Sequence, residues 1–97
     1  MTFSEDTIMV PKGTRLLTRR WGADRPRAEI VIVHGFAEHS GRYTALAEHL
    51  MAHSYNVTAY DQRGHGQSDG LAGHIDRFST YEDDLNCLIG TIRAKSG

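Results

Sequence analysis

Three groups of residues have the types and spacing that chemistry requires. Gly66-Gln67-Ser68-Asp69-Gly70 matches G-x-S-x-G letter for letter. That pattern puts a nucleophilic serine on a strained turn, with a strand directly before it and a helix directly after. Here Asp61-Gln-Arg-Gly-His65 precedes it and Leu71-Ala-Gly-His-Ile-Asp76 follows. Neither flank has the required pattern, so Ser68 is read as a polar turn residue. Six histidines in 97 residues make a metal the next candidate. His49 and His53 stand four apart, but Leu50 follows His49, so the base of an H-E-x-x-H site is missing. His34 and His39 share a loop that offers no third ligand. Gly64, Gly66 and Gly70 are spaced one residue too long for a dinucleotide fingerprint, and no Lys-Ser phosphate loop exists. No metal and no cofactor are expected.

The third group is His34-Gly35-Phe36-Ala37-Glu38-His39. Four apolar β-branched residues, Ile30 to Val33, run into it without a polar break, the habit of a parallel strand covered on both faces. Ligands of open parallel sheets bind at the carboxyl ends of strands, and this loop stands at such an end. Taken alone, His-Gly there is either an ordinary strand-to-helix turn or a source of backbone N–H donors for a developing oxyanion. One such donor is worth about 2.7–4 kcal/mol of barrier.

The elements around these residues follow from pattern. Thr7–Val10 and Thr14–Trp21 read as a β-hairpin joined by Pro11-Lys12-Gly13, a preset φ followed by a residue free to turn left-handed. Arg15, Arg19 and Arg20 mark its second arm as a partly exposed edge whose charges form a solvated face. Residues 22–28 read as a surface loop. Residues 42–53 form a helix with Tyr43, Leu46, Ala47, Leu50 and Met51 on one apolar face and Ser40 as its N-cap. Asn56–Tyr60 is a second strand, which makes a βαβ unit with the first. Asp61–Gly73 is a Gly-rich loop. Ser79-x-x-Glu82 spells a capping box, ahead of a helix that carries Tyr81, Leu85, Leu88, Ile89 and Ile92 on one face.

Length allows one domain, and a formal net charge of −1 with 39% hydrophobic residues speaks against disorder and against nucleic-acid binding. The apolar runs are too short to span a membrane. The acidic start, Met1-Thr-Phe-Ser-Glu-Asp6, does not resemble a signal peptide. With the lone Cys87, taken as a structural thiol, a cytoplasmic setting is expected, with peripheral membrane contact left open.

Two blocks carry a family resemblance. His34-Gly-Phe-Ala-Glu-His-Ser-Gly-Arg-Tyr43 and Tyr60-Asp-Gln-Arg-Gly-His-Gly-Gln-Ser-Asp-Gly70 closely resemble the monoacylglycerol lipase and lysophospholipase group of α/β-hydrolases, the serine aminopeptidase S33-like group. The first block is fairly specific to that group, while the second is shared among α/β-hydrolases of different chemistry. The resemblance implies an α/β fold with sheet order 1-2-4-3. Residues 1–97 would be the N-terminal portion of a single α/β-hydrolase domain: a hairpin, a βαβ unit, a further helix and an incomplete sheet. It implies a serine hydrolase acting on small lipid esters, with the Phe36 backbone N–H as one oxyanion donor. Gly35, Phe36, Glu38 and Arg42 would lie near the substrate head group, with Glu38 and Arg42 paired across the helix start. Ala37 replaces a glycine common among relatives. The family's G-x-S-x-G, acid and histidine fall on later segments. None of His34, His39, His65 or His74 is therefore taken as the catalytic base, nor Asp61 as the triad acid. The alternatives are a non-catalytic truncated module, a flavodoxin-like nucleotide binder without its phosphate loop, or epoxide hydrolase, dehalogenase or peptidase chemistry on the same fold.

Overall fold

A computed structural model describes residues 1–35, 38–70 and 78–96. Strand β1 (Thr2–Val10) and strand β2 (Thr14–Gly22) form an antiparallel hairpin, with Ile8 opposite Leu16 and Val10 opposite Thr14. The turn between them is a single 3-10 turn with Gly13 at φ +75°. The first arm starts five residues earlier than the apolar pattern indicates. Cross-strand pairs extend it: Glu5 meets Arg19, and the Phe3 and Trp21 rings lie 5.1 Å apart.

Strand β3 (Ala28–Val33) crosses through helix α1 (Thr44–Ala52) to strand β4 (Tyr55–Tyr60), which lies parallel to it. Strand β4 also pairs antiparallel with β2, so the sheet order is β1-β2-β4-β3, as the resemblance implies. This corrects the reading of β2 as an edge. It is an interior strand, and Arg19 and Arg20 bridge to neighbours, whereas Arg15, 65% exposed, remains on the solvated side. Arg19 pairs with Glu5 and donates from Nε to Ser40 Oγ at 2.9 Å. Arg20 donates to Thr58 Oγ1 at 2.7 Å and to Glu29 Oε1 at 2.8 Å, tying β2 to β4 and β3.

Helices cover the two faces. Ala47 of α1 packs with Trp21, Val57 and Ala59, supported by Ile32, Leu50 and Met51. Leu46, expected on that face, is 47% exposed, whereas Ala47 is fully buried. On the other face Leu88 and Ile92 of helix α2 (Phe78–Ser96) pack with Val10, Leu16 and Tyr60, with Leu85 and Cys87 at the margin. Two capping expectations fail. Ser79 lies inside α2, which already includes Phe78. Ser40 opens a 3-10 turn (Ser40–Tyr43) before α1, and its hydroxyl is used elsewhere.

That hydroxyl goes to Asp61, which is 1% exposed just beyond β4. Asp61 Oδ1 accepts the Ser40 N–H at 2.7 Å and the Ser40 O–H at 2.6 Å, and Oδ2 accepts the Gln67 N–H at 2.9 Å. Burial alone would raise its pKa. The Gln67 and Ser40 hydrogen bonds, together with the Arg19 charge, outweigh burial and hold it below the usual carboxylate value. The approach requires Gly66, at φ +51°, since a Cβ there would come within 2.6 Å of Asp61 Cγ.

Gly66→Ala is expected to lose more than about 2 kcal/mol of stability from left-handed strain plus this clash, measured by urea unfolding. The Asp61 carboxylate's contribution is present above its ordinary pKa and lost as pH falls through its depressed folded value. Asp61→Asn, left with one acceptor oxygen and an amide that opposes the Gln67 N–H, should be less stable at pH 7. Its melting temperature should also fall less steeply than wild type between about pH 5 and pH 2; parallel melting curves would contradict this account.

Candidate functional site

The loop after β3 begins at His34, which is 3% exposed. Its Nε2 accepts the Gln62 N–H at 2.9 Å, so the proton sits on Nδ1, which donates to the Gly35 carbonyl at 2.6 Å. Gln62 Nε2 returns a bond to the His34 carbonyl at 2.7 Å. Nε2 and the His34 carbonyl thus brace the carboxyl ends of β3 and β4 together through Gln62, while Nδ1 holds the start of the loop. The His65 ring lies 5.0 Å from it and is 6% exposed.

Glu38 follows in the same loop. Its Oε1 accepts from the Gly35 N–H at 2.8 Å and the Tyr43 O–H at 2.7 Å, and its Oε2 lies 3.3 Å from Arg42 Nε. The ion pair that the four-residue spacing suggests is therefore present across the start of α1. The Tyr43 bond first, then the Gly35 bond, hold the Glu38 carboxyl below its usual value, and the same bond raises the Tyr43 phenol. Phe36, the expected oxyanion donor, lies outside the described residues, as do Ala37 and His74.

Beside the loop is a cavity of about 430 Å³ at the carboxyl ends of the parallel strands, with Val33, His34, Tyr60 and Gln62 on one side and Phe78, Tyr81 and Leu85 of α2 on the other. Burial, aided by the Asp84 charge, pushes the Tyr60 phenol up to about 12, so it stays neutral. The residues set aside as catalytic have other work. Ser68 Oγ accepts the Leu17 N–H at 2.8 Å and donates to the Asp61 carbonyl, sewing the Gly-rich loop to β2. The Asp61 carboxylate faces Ser40 and Gln67. His49 of α1 and His53 just past its end are exposed, with His53 Nδ1 2.9 Å from the His49 carbonyl. Among the described residues no three candidate ligands gather for a metal, and no helix is long and apolar enough to cross a membrane.

One structural pair escaped the sequence reading. Asp84, 2% exposed, receives Arg63 Nε at 3.2 Å and Nη2 at 3.1 Å, while Arg63 Nη1 donates to Thr14 Oγ1 at 2.9 Å. The signal was available. Asp84 falls on the apolar stripe of Tyr81, Leu85 and Leu88, where a carboxylate needs a cationic partner.

Comparison with known proteins places this geometry. The family model described as serine aminopeptidase, S33 matches residues 24–97. The chain is 38% identical over 90 residues to a monoacylglycerol lipase of Mycolicibacterium smegmatis, covering 92% of this chain and 32% of that protein. It is 41% identical over 73 residues to the phospholipase YtpA of Bacillus subtilis, covering 75% and 28% respectively. It thus spans about a third or less of either relative. A soluble variant of monoglyceride lipase from Saccharomyces cerevisiae, solved with a substrate analogue, superposes with a TM-score of 0.84. That match is 20% identical and covers 98% of this chain and 31% of that one, a likeness of fold. A hairpin leading into a βαβ unit, the order β1-β2-β4-β3, and a family match over residues 24–97 lead to one conclusion: the chain belongs to the serine aminopeptidase S33 family of α/β-hydrolases.

Proposed function

We propose that residues 1–97 are the N-terminal portion of a single α/β-hydrolase domain of a serine ester hydrolase acting on monoacylglycerols or lysophospholipids. The observation that carries this reading is the position of the loop after β3. It stands at the carboxyl end of a parallel pair, beside an open cavity, where ligands of such sheets bind. In this reading the Phe36 N–H is one donor to the oxyanion, and Gly35, Phe36, Glu38 and Arg42 lie toward the head-group end of the substrate. The substrate class comes from the names of the relatives, a monoacylglycerol lipase and a phospholipase.

The nucleophile, the acid and the histidine belong to segments that follow residue 97 in a longer protein. The β3 edge supports this. Strand β3 carries apolar residues toward both faces yet ends the sheet among the described residues, and Val33 is 46% exposed. Cavities of about 430 and 370 Å³ open along β3 opposite α2. A further strand laid against β3 would cover both, with its nucleophile elbow above the first. A serine there attacks the ester carbonyl, a histidine moves its proton, and two backbone N–H groups hold the oxyanion.

Two assays test the reading. The purified 97-residue chain should not turn over p-nitrophenyl esters, and Ser68→Ala should change nothing in that assay. A longer product of the gene should hydrolyse them through a serine on the next strand. Hydrolysis by the 97-residue chain that disappears in Ser68→Ala would overturn both the division of labour and the role given to Ser68.

A further inference from the structure

Glu38 does more than border a substrate. Its carboxylate accepts the Gly35 N–H, while its own N–H donates back to the Gly35 carbonyl at 3.2 Å. The two residues therefore hold each other by a reciprocal pair of bonds across residues 36 and 37. The carboxylate is held in turn from the helix side by the Tyr43 hydroxyl and the Arg42 guanidinium. Oε1 takes two donors from within the loop and the turn, while Oε2 faces the Arg42 guanidinium at 3.3 Å. The carboxylate lies close against the Gly35 backbone, where a Cβ would meet Glu38 Oε1 at 3.0 Å.

We propose that Glu38 is a positioning residue: its carboxylate latches the first loop residue after β3, Gly35, to the turn that opens α1, and so fixes the two ends between which residues 36 and 37 lie. This rests on the reading of that loop as an oxyanion donor, where a misplacement of about 1 Å costs about 100-fold in rate. The latch would act on kcat through the loop rather than on substrate affinity. It also has a charge dependence. The groups facing the carboxylate are Tyr43, Arg42 and His34. Their combined effect with the Gly35 bond keeps it ionised below the usual carboxylate range, so the latch opens only in acid.

The test begins with the chain itself. In proton–nitrogen NMR spectra the Gly35 amide proton, bonded to a carboxylate, should resonate downfield and move upfield as pH falls through the Glu38 pKa. In Glu38→Gln, which keeps an acceptor but not the charge, that titration should vanish. A Gly35 amide indifferent to Glu38 ionisation overturns the latch. In the longer, hydrolytic protein Glu38→Ala should lower kcat at least about tenfold with KM within about threefold, and Glu38→Gln should recover most of the loss. A raised KM at unchanged kcat would instead make Glu38 a substrate ligand and refute the positioning role. Absence of esterase activity in the longer protein would sink the hydrolase reading alone, since the Gly35 titration decides the latch independently.

Discussion

The arrangement depends on one buried carboxylate. Asp61 is almost fully removed from water, and a buried anion is tolerated only where hydrogen bonds replace its hydration. Three donors do so, from Ser40 and Gln67, with the Arg19 charge nearby. Each donor imposes a constraint. Ser40 must reach in from the turn before α1, so the loop after β3 is drawn against the end of β4. Gln67 must present its backbone, so the loop after β4 curls back over its own start, and Gly66 must leave room. The two sequence blocks that carry the family resemblance are thus two halves of one hydrogen-bonded unit centred on Asp61.

A second, parallel arrangement anchors α2. The Arg63 guanidinium spans Asp84 on the helix and Thr14 at the start of β2. Ser68 and Asp69 sew the same loop to β2: Leu17 donates to Ser68 Oγ, and the Asp69 N–H donates to the Arg15 carbonyl at 2.9 Å. The first part of the loop after β4, Asp61 to Gly70, therefore behaves as an extra layer of structure. Its polar residues fill the coordination of one another and of β2, and that is why a Gly-rich segment can hold the carboxyl ends of two strands in register.

Much of this was legible in the sequence, and the rest divides by the range of the interactions involved. The hairpin, the crossover and the strand order follow from local periodicity and from the resemblance, because those signals lie within a few residues of each other. The Glu38–Arg42 pair was legible from a four-residue spacing. What a local window cannot see is a partner 21 residues away. Ser40 looks like an N-cap because serine before a helix commonly is one, yet its hydroxyl serves Asp61. Arg19 and Arg20 of β2 look solvated because nothing beside them in sequence pairs with them, yet Glu5 and Glu29 neutralise them and Ser40 accepts from Arg19. The loop after β3 was located by the carboxyl-end rule, while its reciprocal closure by Gly35 and Glu38 needed coordinates.

Ser68 shows how such a limit can be turned into an argument. A nucleophilic serine needs a hydroxyl whose proton is free to pass to a base and whose lone pair is free to attack. Ser68 gives its proton to the Asp61 carbonyl and receives the Leu17 N–H on its oxygen. Turning it toward a substrate would strip a hydrogen bond from the Asp61 carbonyl and leave the Leu17 N–H without its partner, and a group left unmet away from water costs about 1–3 kcal/mol. The letters of G-x-S-x-G therefore carry no chemistry by themselves. Only the strand-turn-helix setting leaves a serine hydroxyl unspent, and the loop following β4 spends it on holding the fold.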